Sequence, residues 1–356
     1  MQMKKIRVGL IGATGYGGVS LIELLINHPY VTIGALMAKH DINKPISAIY
    51  PHLKGFCDLL VFDPSDPDCP DDFDIVFYAT PDGVGQKGAS KWLNNGVKVI
   101  DYSGDFRFND KDSYASYAAR IGKAEDHADP VILSSTIYGL PELHRKEIAS
   151  SDLVGNPGCF AVSCILGLAP ALKFGLIDSK DIIFDAKSGV SGAGKTPSPM
   201  FHFPARYEAV NAYKVTGHQH VYEIERELAG LRQSKEIKIT FTPHVIPVSR
   251  GIITTIYANL LPKVNLDSLR NAYSSMYSEE PFIRVFSHGE ILSTTDVRGS
   301  NFCNISLNID SRTGKLIAIS LIDNLVKGQA GNALQNMNIM MQIEETTGLM
   351  YPGNFP

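Results

Sequence analysis

In the stretch GNPGCFAVSC, residues 155–164, a cysteine stands directly after Asn-Pro-Gly and directly before an apolar run, Phe160 to Leu172, that reads as a buried helix. A thiol at that point occupies a first helical turn, where backbone N–H groups have no intrahelical partner and the helix dipole favours an anion. Cys159 is therefore expected to hold an enlarged thiolate fraction and to act as a nucleophile. The competing reading is a small apolar core residue, a common use of free cysteine. Cys164 lies inside the same run and reads as core; Cys57, Cys69 and Cys303 have no comparable setting.

A thiol that forms a thioester needs a proton handler. TGHQHVYEIEREL supplies His218 and His220 just ahead of a charged helix, and their alternation puts both rings on one side of an extended entry. The choice between the two stays open. HxH also resembles a metal pair, but no cluster at ligand spacing accompanies it, so no metal is expected. Histidines at a helix entry with no chemical role are the other alternative.

A third chemical feature is GLIGATGYGG, which sets Gly12, Gly15, Gly17 and Gly18 between an apolar strand and a helix expected from Val19. Glycines there let the backbone turn tightly and approach a pyrophosphate, whose charge the open N–H groups of the helix start stabilise. The spacing is GxxGxxG rather than GxGxxG, so the context of strand, glycines and helix carries the argument. The second strand ends Leu36-Met37-Ala38-Lys39-His40, with no acid before Asp41. Lys39, with Lys44 nearby, suits a ribose 2′-phosphate, and NADP is the expected cofactor.

These residues need a scaffold. Apolar runs Ile6–Ile11, Val31–Met37, Asp74–Ala79 and Val97–Tyr102 alternate with helical patterns Val19–Asn27 and Val84–Asn94, the sign of a parallel sheet covered by helices. After Cys159 the pattern changes to strands Ile182–Lys187, Ile237–Phe241, Ile252–Leu260, Phe302–Ile309 and Leu316–Ile322, with helices over 218–232 and 265–277. That suits a largely antiparallel sheet covered on one face. Asn324 to Glu345 reads as one long helix. Residues 189–217, rich in Gly, Ser and Pro, exceed the usual length of a structureless loop and are a functional-loop candidate. The fold class is α/β: a doubly wound dinucleotide-binding domain over 1–157, completed by the segment 324–356, and an α+β catalytic and oligomerisation domain over 158–323.

Composition narrows the function classes. With 356 residues, 44% hydrophobic and 20% charged, the chain can bury substantial cores without staples. Five scattered cysteines without a CxxC pair argue against a disulfide framework or thiolate zinc site and fit a reducing compartment, hence a cytoplasmic location. The N-terminal apolar run flows into glycines rather than a cleavage site, and no uninterrupted stretch approaches a membrane span. A net charge of −4 with dispersed Lys and Arg gives no support to nucleic-acid binding.

Taken together and in this order, GATGYGG (12–18), DYSGDFR (101–107), YGLPEL (138–143), GNPGC (155–159), SGVSGAGK (188–195), GHQHVYEIE (217–225), FTPHVIPVSRGI (241–252), DVRGSNFC (296–303) and NLVKGQAGNALQNMN (324–338) resemble the N-acetyl-gamma-glutamyl-phosphate reductase family over nearly the whole chain. The resemblance implies a soluble, cytoplasmic homo-oligomer, dimer or tetramer, of arginine biosynthesis. Its substrate would be a small acyl phosphate, reduced with NADPH to a semialdehyde through a thioester on Cys159. It further implies a cofactor set of Gly12, Thr14, Gly15, Tyr16, Gly17, Lys39 and Thr80, with Ser188, Gly189, Ser191, Gly192, Asn324 and Gly328 beside the nicotinamide. The implied substrate residues are Ser103, Arg107, Glu142, Asn156 and Arg250. Guanidinium groups offer paired hydrogen bonds to phosphate or carboxylate, although Arg107 and Arg250 suit structural ion pairs equally, and Glu142 suits either orienting a histidine or capping the helix after Pro141.

Two departures from the family pattern concern the acyl group. Phe160-Ala161-Val162 stands where Tyr-Pro-Thr is usual, and Gln219 and Tyr222 replace an Arg and a Pro around the histidines. The alternatives are a carrier-protein-linked aminoadipyl phosphate reductase of lysine biosynthesis and aspartate-semialdehyde dehydrogenase, whose motif has Asn before the cysteine where Gly158 stands here. From other classes come a nucleotide-binding regulator, which would need no activated thiol, and a cysteine hydrolase, which would need no glycine loop.

Overall fold

A computed structural model of the protein describes residues 5–232, 237–286 and 289–355. The chain divides into two compact units, one formed by residues 1–157 with 329–350 and the other by 158–328 with 351–356.

The first unit is built on a seven-stranded sheet of order β3-β2-β1-β4-β5-β7-β6. Its strands are β1 Ile6–Ile11, β2 Val31–Met37, β3 Val61–Phe62, β4 Ile75–Tyr78, β5 Lys98–Asp101, β6 Ile137–Tyr138 and β7 Leu153–Gly155. Every neighbouring pair is parallel. The apolar runs at β1, β4 and β5 are continuous rather than alternating because these strands are covered on both faces: Val8, Leu10, Ile75, Val76, Phe77, Val99 and Ile100 are fully buried. Chain order reverses direction between β1 and β4, which makes the ends of those strands a switch point of the kind that receives dinucleotides. The helix after β1 spans Tyr16–Leu25 and buries Val19, Leu21, Ile22, Leu24 and Leu25. It begins three residues earlier than the apolar pattern indicates, so Gly17 and Gly18 lie within its first turn.

The expected long helix over 324–345 is a different structure. Residues Val326–Ala330 form a π turn, and the α-helix runs only from Gly331 to Met340. At its head the Asp323 carboxylate accepts the N–H groups of Leu325 and Val326, which holds the entry in a turn. At its tail Gln342 takes a left-handed conformation, while the Asn338 side chain donates to the carbonyls of Glu345 and Thr347. Asp323 thus satisfies donors that no helix turn could at the entry, and Asn338 satisfies carbonyls of the chain that has left the helix at the exit. Asn332, Gln335, Asn336 and Asn338 on this helix are all buried, which its polar composition does not announce.

The second unit carries a mixed sheet of order β12-β13-β14-β11-β8-β10-β9. The strands are β8 Ile182–Ser188, β9 Asn211–Ala212, β10 Ile239–Val245, β11 Ile252–Asn259, β12 Ile283–Phe286, β13 Cys303–Asp310 and β14 Lys315–Ile322. Four neighbouring pairs are antiparallel, whereas β8–β10 and β12–β13 are parallel. β10 runs four residues past its expected end, through Pro243, because it also pairs with the two-residue β9, which lies within the 189–217 segment. That segment holds further short elements, among them the helical turn Phe203–Arg206.

One helix dominates this unit. Cys159–Lys173 buries every residue from Phe160 to Leu172 and packs on β11, β14 and the helices His220–Leu231 and Leu266–Tyr277. Gly167 lets it approach β11 and β14, since a Cβ there would meet Ile256 and Ser320. Burial inside this helix pushes the Cys164 thiol pKa well up, which suits an inert core residue.

Candidate functional site

Cys159 is the first residue of its helix, whose N-cap, Gly158, provides no side-chain cap. No cap side chain takes up the N–H groups of the first turn, on which the thiol is carried. Gly158 is required sterically, since a Cβ there would strike the imidazole of His220. Its backbone N–H donates to Glu223 Oε2 at 3.0 Å. The other carboxylate oxygen, Oε1, lies 3.9 Å from His220 Nε2. Glu223 is buried on the same helix as His220, three residues on, and so joins the turn that carries the thiol to the ring beside it. On the opposite side a Cβ on Gly328 would come within 2.8 Å of the Cys159 Cβ, and this close approach excludes any larger residue.

The two histidines sit side by side with ring centroids 4.6 Å apart, yet they differ in use. His218 is buried, and its Nδ1 accepts the backbone N–H of His220 at 3.2 Å. A neutral His218 consequently carries its proton on Nε2, which lies 3.4 Å from the Tyr213 hydroxyl. Edge-to-face contacts with Phe160 and Phe241 fix its ring. Burial drives the Tyr213 pKa far up and keeps the phenol neutral. His218 is thus committed to the helix entry, whereas His220 has its Nε2 turned toward Gly158 and Glu223. Both departures from the family pattern fall in this region with local partners. Phe160 is buried in the aromatic cluster, and Gln219 Oε1 accepts from Lys214 Nζ at 3.0 Å.

Arg250 stands on the loop before β11, with Nε 3.1 Å from Asp323 Oδ2. Its Nη2 is buried and makes no hydrogen bond among the described residues, leaving a donor beyond the ion pair. Asp323 itself is fully buried, takes the Gly299 N–H, and offers its backbone carbonyl to Gly328 N–H at 2.9 Å. Asn324 cross-ties the adjoining loops: its Oδ1 accepts Gly251 N–H and its Nδ2 donates to Ser191 Oγ at 3.0 Å. Gly189 and Ser191 pair with the backbone of Gly251 and Ser249, and a Cβ at Gly189 would press on that strand entry. Ser188 Oγ donates to the Gly189 carbonyl, while Gly192 has Ser188 and Asn324 as its neighbours.

In the first unit the glycine turn is built for close approach. Gly12 has φ +90°, and a Cβ there would strike the Ala79 carbonyl; one on Gly18 would strike the Gly12 carbonyl. Gly15 caps the following helix without a side-chain bond, which leaves the first-turn N–H groups open. Gly17 lies against the Gln329 side chain. Thr14 is buried and offers its carbonyl to the Tyr50 hydroxyl, and Tyr16 opens the helix. Thr80 lies beside Gly12 with Oγ1 buried and without a hydrogen-bond partner among the described residues. An open helix start, a cradle that a Cβ would fill and an orphaned hydroxyl fit a pyrophosphate. The basic candidates, however, have acidic neighbours: Lys44 Nζ is 2.8 Å from Asp41, and Lys39 Nζ is 3.7 Å from Asp63.

The other substrate candidates of this unit have internal partners. Arg107 is buried and donates to the carbonyls of Asn156, at 2.9 Å, and Tyr102. Asn156 is fully buried, its amide held by Gln329, Asn332 and Asn336. Ser103 Oγ donates to Asp101 and accepts from Asp105 N–H. Glu142 is buried in the first turn of the helix Pro141–Ala149. Sequence reasoning passed over Glu223, Tyr213 and Asp323. Only Glu223 carried a signal, as an acid one helical turn beyond His220.

A dinucleotide-type unit paired with a unit that presents a thiol at a helix start beside a histidine and a carboxylate defines the class of aldehyde-forming oxidoreductases. Residues 7–151 match the semialdehyde dehydrogenase NAD binding domain and residues 159–324 match the semialdehyde dehydrogenase dimerisation domain. Solved structures agree in fold: aspartate semialdehyde dehydrogenase II of Vibrio cholerae superposes with a TM-score of 0.72 at 16% identity, covering 96% of this chain and 99% of that one. The aspartate semialdehyde dehydrogenase of Candida albicans, solved with NADP, gives 0.69 at 16%, covering 95% and 99%. The chain is 45% identical over 349 residues to an N-acetyl-gamma-glutamyl-phosphate reductase of Bacillus cereus, covering 97% of this chain and 98% of that protein. It is 44% identical over 351 residues to that of Bacillus mycoides, covering 98% and 100%. The chain belongs to the N-acetyl-gamma-glutamyl-phosphate reductase family of semialdehyde dehydrogenases. Among the described residues, no helix is long and apolar enough to cross a membrane.

Proposed function

We propose that the protein reduces N-acetyl-L-glutamyl 5-phosphate to the 5-semialdehyde with NADPH, in arginine biosynthesis, as a homo-oligomer. The observation that carries this reading is the Gly158–Glu223–His220 arrangement around the first residue of an uncapped helix. In this reading the Cys159 thiolate attacks the acyl carbon and phosphate leaves, which forms a thioester. A thioester carbonyl accepts hydride where a carboxylate would not. NADPH supplies that hydride when bound, and Gly12, Gly15, Thr14, Tyr16 and Thr80 are the residues that hold its pyrophosphate end. His220 takes the thiol proton at Nε2, gives a proton to the oxyanion left when the thioester carbonyl is reduced, and takes it back as the hemithioacetal expels the Cys159 thiolate and the aldehyde C=O forms. Glu223 stabilises the imidazolium and fixes the turn before the thiol, so it positions rather than reacts. His218 holds the ring stack from behind. Arg250, anchored by Asp323 with a donor to spare, binds the phosphate or the α-carboxylate.

Turnover of the purified protein in the reverse direction, with N-acetylglutamate 5-semialdehyde, phosphate and NADP, tests this assignment. Formation of NADPH that depends on phosphate is expected. Preference for aspartate semialdehyde, or no turnover with either aldehyde, would overturn it.

A further inference from the structure

The strand that ends in Lys39 has no acid at its tip, but its neighbour has one. β2 and β3 pair in parallel with Met37 opposite Phe62, and Ala38 N–H donates to the Phe62 carbonyl at 2.9 Å. The residue after each strand therefore emerges at the same height: Ala38 and Lys39 from one, Asp63 from the other. Asp63 is not a loose surface acid. Its Oδ1 accepts both the backbone N–H of Ser65, at 2.8 Å, and the Ser65 hydroxyl, at 2.6 Å, which fixes the side chain in an Asx turn. These bonds hold its carboxyl below the usual carboxylate range, so it remains an anion throughout the neutral pH range. Lys39 Nζ lies 3.7 Å away.

In dinucleotide domains an acid at the end of the second strand accepts the ribose 2′-OH, and a nearby cation accommodates a 2′-phosphate. This chain holds one of each, the acid arriving from the adjacent strand. We propose that Asp63 determines how strongly the protein discriminates between NADPH and NADH. Its fixed carboxylate draws the Lys39 ammonium toward itself, opposes a 2′-phosphate and offers an acceptor to a 2′-hydroxyl. Lys44 does not relieve the opposition, because Asp41 balances it at 2.8 Å. The proposal rests on the glycine turn of the same unit binding a nicotinamide dinucleotide.

The test is Asp63→Asn, which keeps an oxygen for the Ser65 turn and removes only the charge. Dissociation constants of NADPH and NADH are measured by calorimetry on the full-length protein, independently of turnover. The affinity of the pair is modest at an exposed site, so NADPH should bind about three- to tenfold more tightly to Asp63→Asn, and NADH equally or more weakly. Lys39→Ala should weaken NADPH alone. A ratio of the two constants that is unchanged in Asp63→Asn, or one that moves toward NADH, overturns the proposal. Failure of both cofactors to bind the unaltered protein would instead overturn the dinucleotide reading beneath it.

Discussion

His220 lies so close over the Cα of Gly158 that any side chain at 158 would occupy the space of the imidazole. The glycine before the cysteine is thus a steric condition for the histidine beside it, not only a turn former. Gly158→Ala is expected to displace the ring and cut turnover at least as severely as loss of the histidine, while NADPH binding by calorimetry stays near the unaltered value. Full activity in a folded Gly158→Ala protein would show that the ring is not needed where the structure puts it.

The difference between the two histidines gives a second expectation. His220→Ala should lower kcat by about 10²–10⁴-fold, the usual size of general acid–base assistance. His218→Ala removes the acceptor for His220 N–H and the ring that Phe160 and Phe241 pack against. It should therefore reduce thermal stability together with a smaller fall in kcat. Stopped-flow rates combined with melting curves separate the two effects. An unchanged kcat in His220→Ala, with a large fall in His218→Ala, would reverse the roles.

Glu223 allows a finer dissection. Glu223→Gln keeps an acceptor for Gly158 N–H but removes the charge near His220, whereas Glu223→Ala removes both. If the carboxylate serves as a positioning group, the Gln variant should keep KM, lose part of kcat and shift the pH midpoint for alkylation of Cys159 by iodoacetamide. The Ala variant should be worse in all three respects. Equal, unshifted alkylation profiles in all the proteins would confine Glu223 to a structural role.

Much of this was legible in the sequence because local chemistry and tertiary use coincide. The continuous apolar runs of β1 and β4, the glycines after β1 and the Pro-Gly turn ahead of Cys159 each reflect a backbone need that no other residue type meets as well. What stayed hidden was long-range pairing. Arg107 and Asn156, spaced 49 residues apart, are consumed by each other and by buried amides, and nothing in DFR or GNPG distinguishes that use from anion binding. The helix expected over 324–345 is shorter at its tail, where the buried Asn338 side chain holds the carbonyls of Glu345 and Thr347 in a turn that helical periodicity does not register. Asp63 was invisible for the same reason: strand pairing, not sequence distance, brings it beside Lys39.

Cys159→Ala should abolish reduction and leave both cofactor affinity and stability nearly unchanged, since the thiol is partly exposed at a helix start. Cys164→Ala should remain active, with a stability loss of about 1 kcal/mol or more from the cavity left in a fully buried site. Substantial turnover in Cys159→Ala would remove the nucleophile from the proposed mechanism.

The final expectation concerns a buried acid that the chemistry does not use. Asp101, at the end of β5, is fully buried; Ser103 N–H and hydroxyl donate to its Oδ1, while its Oδ2 has no hydrogen-bond partner among the described residues. Burial, reinforced by the nearby Asp105 carboxylate, raises its pKa well above the ordinary value. A carboxyl with a higher pKa in the folded than in the unfolded chain takes up a proton on folding. Its contribution is fully present below the unfolded value of about 4 and is lost as pH rises through the folded value. Asp101→Asn reproduces the shape of the protonated acid and cannot ionise. Its melting temperature relative to the unaltered protein should therefore climb as pH rises from 5 to 8. A difference that stays flat across that range would show that Asp101 does not change its proton occupancy on folding.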